Sequence, residues 1–145
     1  MYQKEVERYK NKFKKCKGDI TDKHITKGLN ENGVNDLKNM LLEGNTESLK
    51  KLVFSIAKQL PYGVGKMTGV LYSSVIARLL EQSGISYTIH IGFILPVKVK
   101  DIGTYDYLVV NHMYLESKSG IKYHYFNGDL TDETFTYIKD DIVEV

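Results

Sequence analysis

The chain has little cysteine, no charge of one sign in large excess and no long apolar run. A single cysteine, Cys16, among 145 residues excludes an internal disulfide framework and any zinc site built mainly from thiolates. No apolar stretch reaches the length needed to cross a bilayer, and the first residues contain no apolar signal core. The expectation is therefore a soluble, cytoplasmic protein with no membrane partner. Lys and Arg number 20 against 18 Asp and Glu, a net charge of +2, which gives no whole-protein argument for nucleic acid. Internal repeats and low-complexity linkers are also missing. What remains is a chain 42% hydrophobic and 26% charged, a globular composition at a length that buries a core without staples. Residues 1–145 read as one domain, with a helical part over 1–60 and a second part over 63–145.

The charge is unevenly placed. Residues 1–17 carry seven Lys or Arg against two Glu, a net of +5, which leaves −3 for the rest. Tyr2, Val6, Tyr9 and Phe13 recur at helical spacing within that segment. The reading is a helix docked through this stripe with its basic face in solvent. Residues 17–32 read as an irregular connection, with one helical turn over 22–29. Val34, Leu37, Met40 and Leu41 predict a short amphipathic helix stopped by Gly44. Asn45 or Thr46 caps the next helix, whose stripe is Leu49, Leu52, Val53, Ile56, Ala57 and Leu60. Pro61, Gly63 and Gly65 break it. A fourth helix over 68–83 is apolar around most of its circumference, with Ser74, Arg78, Glu81 and Gln82 as a narrow polar strip. Such a helix is central, with other elements packed around it.

After Gly84 the period changes from 3.6 to 2. Tyr87, Ile89, Ile91, Phe93 and Leu95 alternate with Thr88, His90 and Gly92, which predicts a strand. Residues 107–116 and 121–126 predict two more, joined as an antiparallel hairpin at Lys118-Ser119-Gly120. With Ser119-Gly120 as a two-residue loop, Lys118 faces Ile121 and His112 faces Asn127. The Asn127 amide would then fix the ring orientation and tautomer of His112. Residues 141–145 predict a final edge strand. Helices first and antiparallel strands after give an α+β plan, a buried central helix packed on a small antiparallel sheet.

Four histidines, His24, His90, His112 and His124, have no metal-ligand spacing, and the sequence implies no cofactor. His90 points away from the Tyr87, Ile89 and Ile91 face, toward solvent or an interface. Gly63-x-Gly65 before a helix lacks the lysine and the preceding strand of a phosphate loop and reads as a turn. Eleven tyrosines, many in the strands, read as core and cross-strand packing.

The ordered set Gly65-Lys66-Met67-Thr68-Gly69, a buried helix, Ser83-Gly84-Ile85, His90-Ile91-Gly92-Phe93, Asn111-His112-Met113-Tyr114-Leu115-Glu116 and Tyr123-His124-Tyr125-Phe126-Asn127 resembles the core of the transglutaminase-like, papain-like superfamily. The resemblance covers residues 63–129. Met67-Thr68-Gly69 is also similar to the Cys-Ser-Gly that opens the equivalent helix in NlpC/P60 hydrolases. The family's chemistry uses a cysteine thiolate that attacks an amide carbonyl, a histidine that carries the proton and an Asp or Asn that orients it. The resemblance implies His112 for the histidine and Asn127 for the orienting residue. The nucleophile slot falls on Met67, or on Gly69 when counted back from Gly84, because Met67 to Gly84 is about two residues longer than the family's usual interval. Neither position is a cysteine. A thioether cannot be deprotonated to an acyl-accepting anion, and glycine has no side chain. The implied protein is a catalytically degenerate domain that binds a protein partner, in the manner of a phage or mobile-element accessory protein. Two alternatives stand beside it: an active amide-directed hydrolase or acyl transferase using Thr68 or Cys16 with His112, and an α+β binding module unrelated to the superfamily.

Overall fold

A computed structural model describes residues 2–63, 68–96, 110–125 and 135–144. The chain is α+β, with five helices among the described residues, α1 (Tyr2–Asp19), α2 (Asp22–Glu31), α3 (Leu37–Glu43), α4 (Thr46–Ala57) and α5 (Gly69–Gln82), and four strands, β1 (Tyr87–Pro96), β2 (Val110–Ser117), β3 (Lys122–Tyr123) and β4 (Phe135–Val143). The strands form one antiparallel sheet in the order β3-β2-β1-β4.

The apolar stripes become the core. Val6 and Phe13 of α1, Leu49, Leu52, Val53 and Ile56 of α4, and Val70, Leu71, Val75, Ile76, Leu79 and Leu80 of α5 are all buried in one cluster with Ile89, Ile91, Met113 and Leu115 of the sheet. The near-complete apolar circumference of α5 has its physical counterpart here: α1 and α4 flank it and the sheet lies beneath it. Ser74, expected on the polar strip, is buried under α1 and donates to the Val70 carbonyl at 2.7 Å within its own helix. The basic side of α1 stays outside, and Lys17 crosses to Glu81 at 2.8 Å. No helix among the described residues is long and apolar enough to cross a membrane.

Three expectations need correction. Residues 22–31 form a full helix of ten residues rather than one turn in an irregular connection. Thr21 and His24 make a reciprocal cap: the His24 N–H donates to Thr21 Oγ1, and the Thr21 N–H donates to His24 Nδ1. Gly28 permits close helix packing, because a Cβ there would lie 2.6 Å from Ile56 Cγ1.

The hairpin register is also shifted by one residue. Glu116 pairs with Lys122 and Leu115 with Tyr123, and the Ser117 N–H donates to the Ile121 carbonyl at 2.8 Å. The loop is three residues, Lys118-Ser119-Gly120, with Gly120 at φ 92°, the glycine-terminated form of a hairpin turn. The register argument that set His112 opposite Asn127 thus loses its basis, and Asn127 itself lies outside the described residues.

The final strand, finally, begins at 135 rather than 141 and pairs with β1 along its length. The run Lys139-Asp140-Asp141 masks the alternation, and a bulge at Ile138 of β4, opposite the step from Phe93 to Ile94 in β1, resets the register.

Candidate functional site

The sheet has two unlike faces because side chains alternate along each strand. One face carries Ile89, Ile91, Met113 and Leu115 against α5. The other carries Thr88 and His90 of β1, His112, Tyr114 and Glu116 of β2, Lys122 and His124 at β3, and Asp140 of β4. His90 and His112 are each only 7% exposed, and Tyr114 is buried completely. Polar side chains buried in this way take hydrogen-bond partners inside the protein, and His90, His112 and Tyr114 do.

His112 Nε2 lies 2.7 Å from His124 Nδ1, so one of these nitrogens carries the shared proton. Their rings stack with centroids 5.0 Å apart. His124 packs in turn on Tyr114 at 4.4 Å, and Tyr114 stacks on His90 at 4.5 Å. The Tyr114 hydroxyl donates to Asp140 Oδ2 at 2.8 Å, while His90 Nδ1 lies 3.1 Å from Asp140 Oδ1. Both oxygens of one carboxylate are thereby used, and β4 is tied to β2 and β1 through side chains as well as backbone. Burial, and then acceptance by Asp140, pushes the Tyr114 phenol far above its ordinary value, so it stays protonated and holds the carboxylate. Lys122 Nζ sits over the Tyr114 and Tyr137 rings at 5.7 and 5.4 Å.

The residues singled out from the sequence are distributed as follows. Thr68 is the N-cap of α5, its Oγ1 accepting the Leu71 N–H at 3.2 Å. Gly69 opens that helix against β2: a Cβ at position 69 would lie 3.4 Å from the Met113 carbonyl oxygen, one residue along from His112. The start of α5 and the histidine-bearing strand are therefore neighbours. The side-chain partner described for His112 is nevertheless His124, and no described contact joins His112 to Thr68. Met67 and Asn127 lie outside the described residues. Cys16 sits near the end of α1, half-buried against the core. There it lies beside Tyr62, whose phenol is pushed up by burial and then by Cys16 and Asp19. His90 lies on the face away from Ile89 and Ile91, as expected, but it is buried rather than exposed.

Sequence reasoning missed Tyr114, His124, Glu116 and Asp140 as partners. Tyr114 and Glu116 share the face of His112 along one strand whatever the hairpin register, and a three-residue loop would have added His124. Asp140 carries no such signal, because its place depends on the bulge.

Among the described residues no group of three or more His, Cys, Asp or Glu is arranged to hold a metal ion. No protein-family model, curated protein or solved structure matches the chain.

Proposed function

We propose that this chain is a catalytically degenerate domain of the transglutaminase-like, papain-like type that acts by binding a protein partner. The observation that carries this reading is the start of α5. The helix opens against the strand bearing His112, the place where the family sets its nucleophile, and position 69 there has no side chain. The neighbouring hydroxyl, Thr68, is held as a helix cap, and a β-branched hydroxyl is a weaker nucleophile than a thiolate. Cys16 is occupied on another face of the core beside Tyr62. A partner finds apolar purchase on β4, the last strand of the sheet among the described residues, where Ile138 and Ile142 are 54% and 66% exposed.

Restoring the thiol tests the reading. Met67→Cys and Gly69→Cys are made separately, and alkylation by iodoacetamide at neutral pH is compared with that of Cys16 in the same molecule. One of the two new thiols should react faster than Cys16, because a neighbouring imidazole lowers a thiol's pKa. The excess should vanish when His112→Ala is added. If neither thiol responds to His112, the resemblance fails and the chain is an unrelated binding module. An acyl adduct on Thr68 of the unmodified protein that depends on His112 would make it an enzyme instead.

A further inference from the structure

At the Tyr87 end of β1 the polar face opens into a shallow cleft of about 460 Å³. Thr88, His90, Glu116, Lys118 and Ile142 line it. Thr88 is exposed and His90 forms the buried floor. Thr88 Oγ1 lies 3.0 Å from His90 Nε2, and His90 Nδ1 lies 3.1 Å from Asp140 Oδ1. A carboxylate only accepts, so Nδ1 carries the ring proton and Nε2 is left as an acceptor facing the threonine hydroxyl. Asp140 is fixed in turn by Tyr114 at 2.8 Å. The second carboxylate, Glu116, stands 3.7 Å from Nε2, outside hydrogen-bond range.

We propose that this cleft is an acyl-transfer site for small activated acyl esters, with Thr88 as nucleophile, His90 as general base and Asp140 as the positioning residue. The site is independent of the start of α5. Hydroxyl, imidazole and carboxylate in this order, within hydrogen-bond reach and beside an open cleft, are the arrangement that makes a hydroxyl nucleophilic on any fold. Thr88 Oγ1 bonds to the carbonyl carbon, the carbonyl electron pair moves to oxygen, and the hydroxyl proton passes to His90 Nε2. Glu116 and Asp140 stabilise the imidazolium so formed. Lys118, which makes no described ion pair, supplies positive charge on the cleft wall for the oxyanion. Collapse breaks the bond to the leaving alkoxide, which takes the proton back from His90. Water then attacks the acyl-Thr88 ester with the same proton path, releasing a carboxylic acid and restoring Thr88. Ile142, exposed at the rim, is apolar surface for a short acyl chain.

p-Nitrophenyl acetate is the probe, used with the full chain. The expected result is a burst of nitrophenolate and an acetyl group mapped to Thr88 by peptide mass spectrometry. Thr88→Val is close in shape and keeps strand propensity. It should abolish the adduct with an unchanged melting temperature, and Thr88→Ser should restore it. His90→Gln should slow acetylation by about 10²–10⁴-fold, the range of a general base. Asp140→Asn should lower kcat with KM nearly unchanged, as a positioning role requires. No acetyl group on Thr88, an adduct confined to Cys16, Thr68 or lysine, or equal rates in wild type and Thr88→Val would each overturn the proposal.

Discussion

Glu81 illustrates how a single side chain near the end of α5 ties three elements together. Lys17 of α1 donates to its Oε2 at 2.8 Å and Tyr87 of β1 at 2.6 Å. Burial opposes its ionisation, but these two hydrogen bonds outweigh burial and hold the carboxyl below its ordinary value. A carboxyl depressed in the folded state stabilises that state above its unfolded value and loses the contribution as pH falls through the folded one. Glu81→Gln should therefore be less stable than wild type at neutral pH. The gap should close as pH drops below 4.5, the ordinary value; urea midpoints across that range measure it. A gap independent of pH would assign the loss to packing. At this scale the sequence was only partly readable. Glu81 was visible as a member of a polar strip, but its partners lie 64 residues away in α1 and across the turn at Gly84, and no local pattern encodes such a pairing.

Among the elements, β4 depends on one small residue of its neighbour. Gly92 lies opposite Asp140 next to the bulge, and a Cβ there would fall 1.8 Å from the Lys139 carbonyl oxygen. The obstacle is backbone, so no side chain can swing aside. Gly92→Ala should cost at least the upper end of the ~1–3 kcal/mol typical of overpacking, and the loss should be concentrated in β4. Hydrogen exchange checks this, with the amides of β4 losing protection before those of α5. The helices were legible where a cap and a continuous stripe coincide, as at Asn45 with α4 and Gly44 after α3. They were not legible where a glycine serves packing, as Gly28 does in α2. The strands showed their alternation, but register lies in turn geometry. One extra loop residue at Lys118 shifts the hairpin register and sets His124 on the same face as His112 and Tyr114.

Over the whole molecule, the organising contact is α5 against the sheet, with α1 and α4 closing its sides. Leu79 is fully buried at the centre of that arrangement. Leu79→Ala should lower unfolding free energy by about 2–5 kcal/mol, measured by denaturant titration, with one cooperative transition kept. The α+β class followed from the change of period after Gly84, and the central helix from its all-round apolarity. The site was less legible. Sequence order brought the start of α5 and the His112 strand into one frame, and they are neighbours. The carboxylate that joins His90 and Tyr114 comes from a strand whose charged run hides its period.

The order in which the strands occur along the chain gives assembly a direction. β1 is flanked by β2 and β4, yet β4 leaves the ribosome after both. Until it does, one edge of β1 has no backbone partner, and His90 and Tyr114 lack the carboxylate that fixes them. The nascent chain can bury its helices and close the 117–121 turn early, while the polar face stays loose and one sheet edge stays open to other chains. Asp140 is then the latch. Its arrival seats the last strand, holds the ring proton of His90 on Nδ1 and docks Asp141 against the Tyr2 phenol at 2.9 Å, so the earliest of the described elements is clasped by the strand made after all the others described.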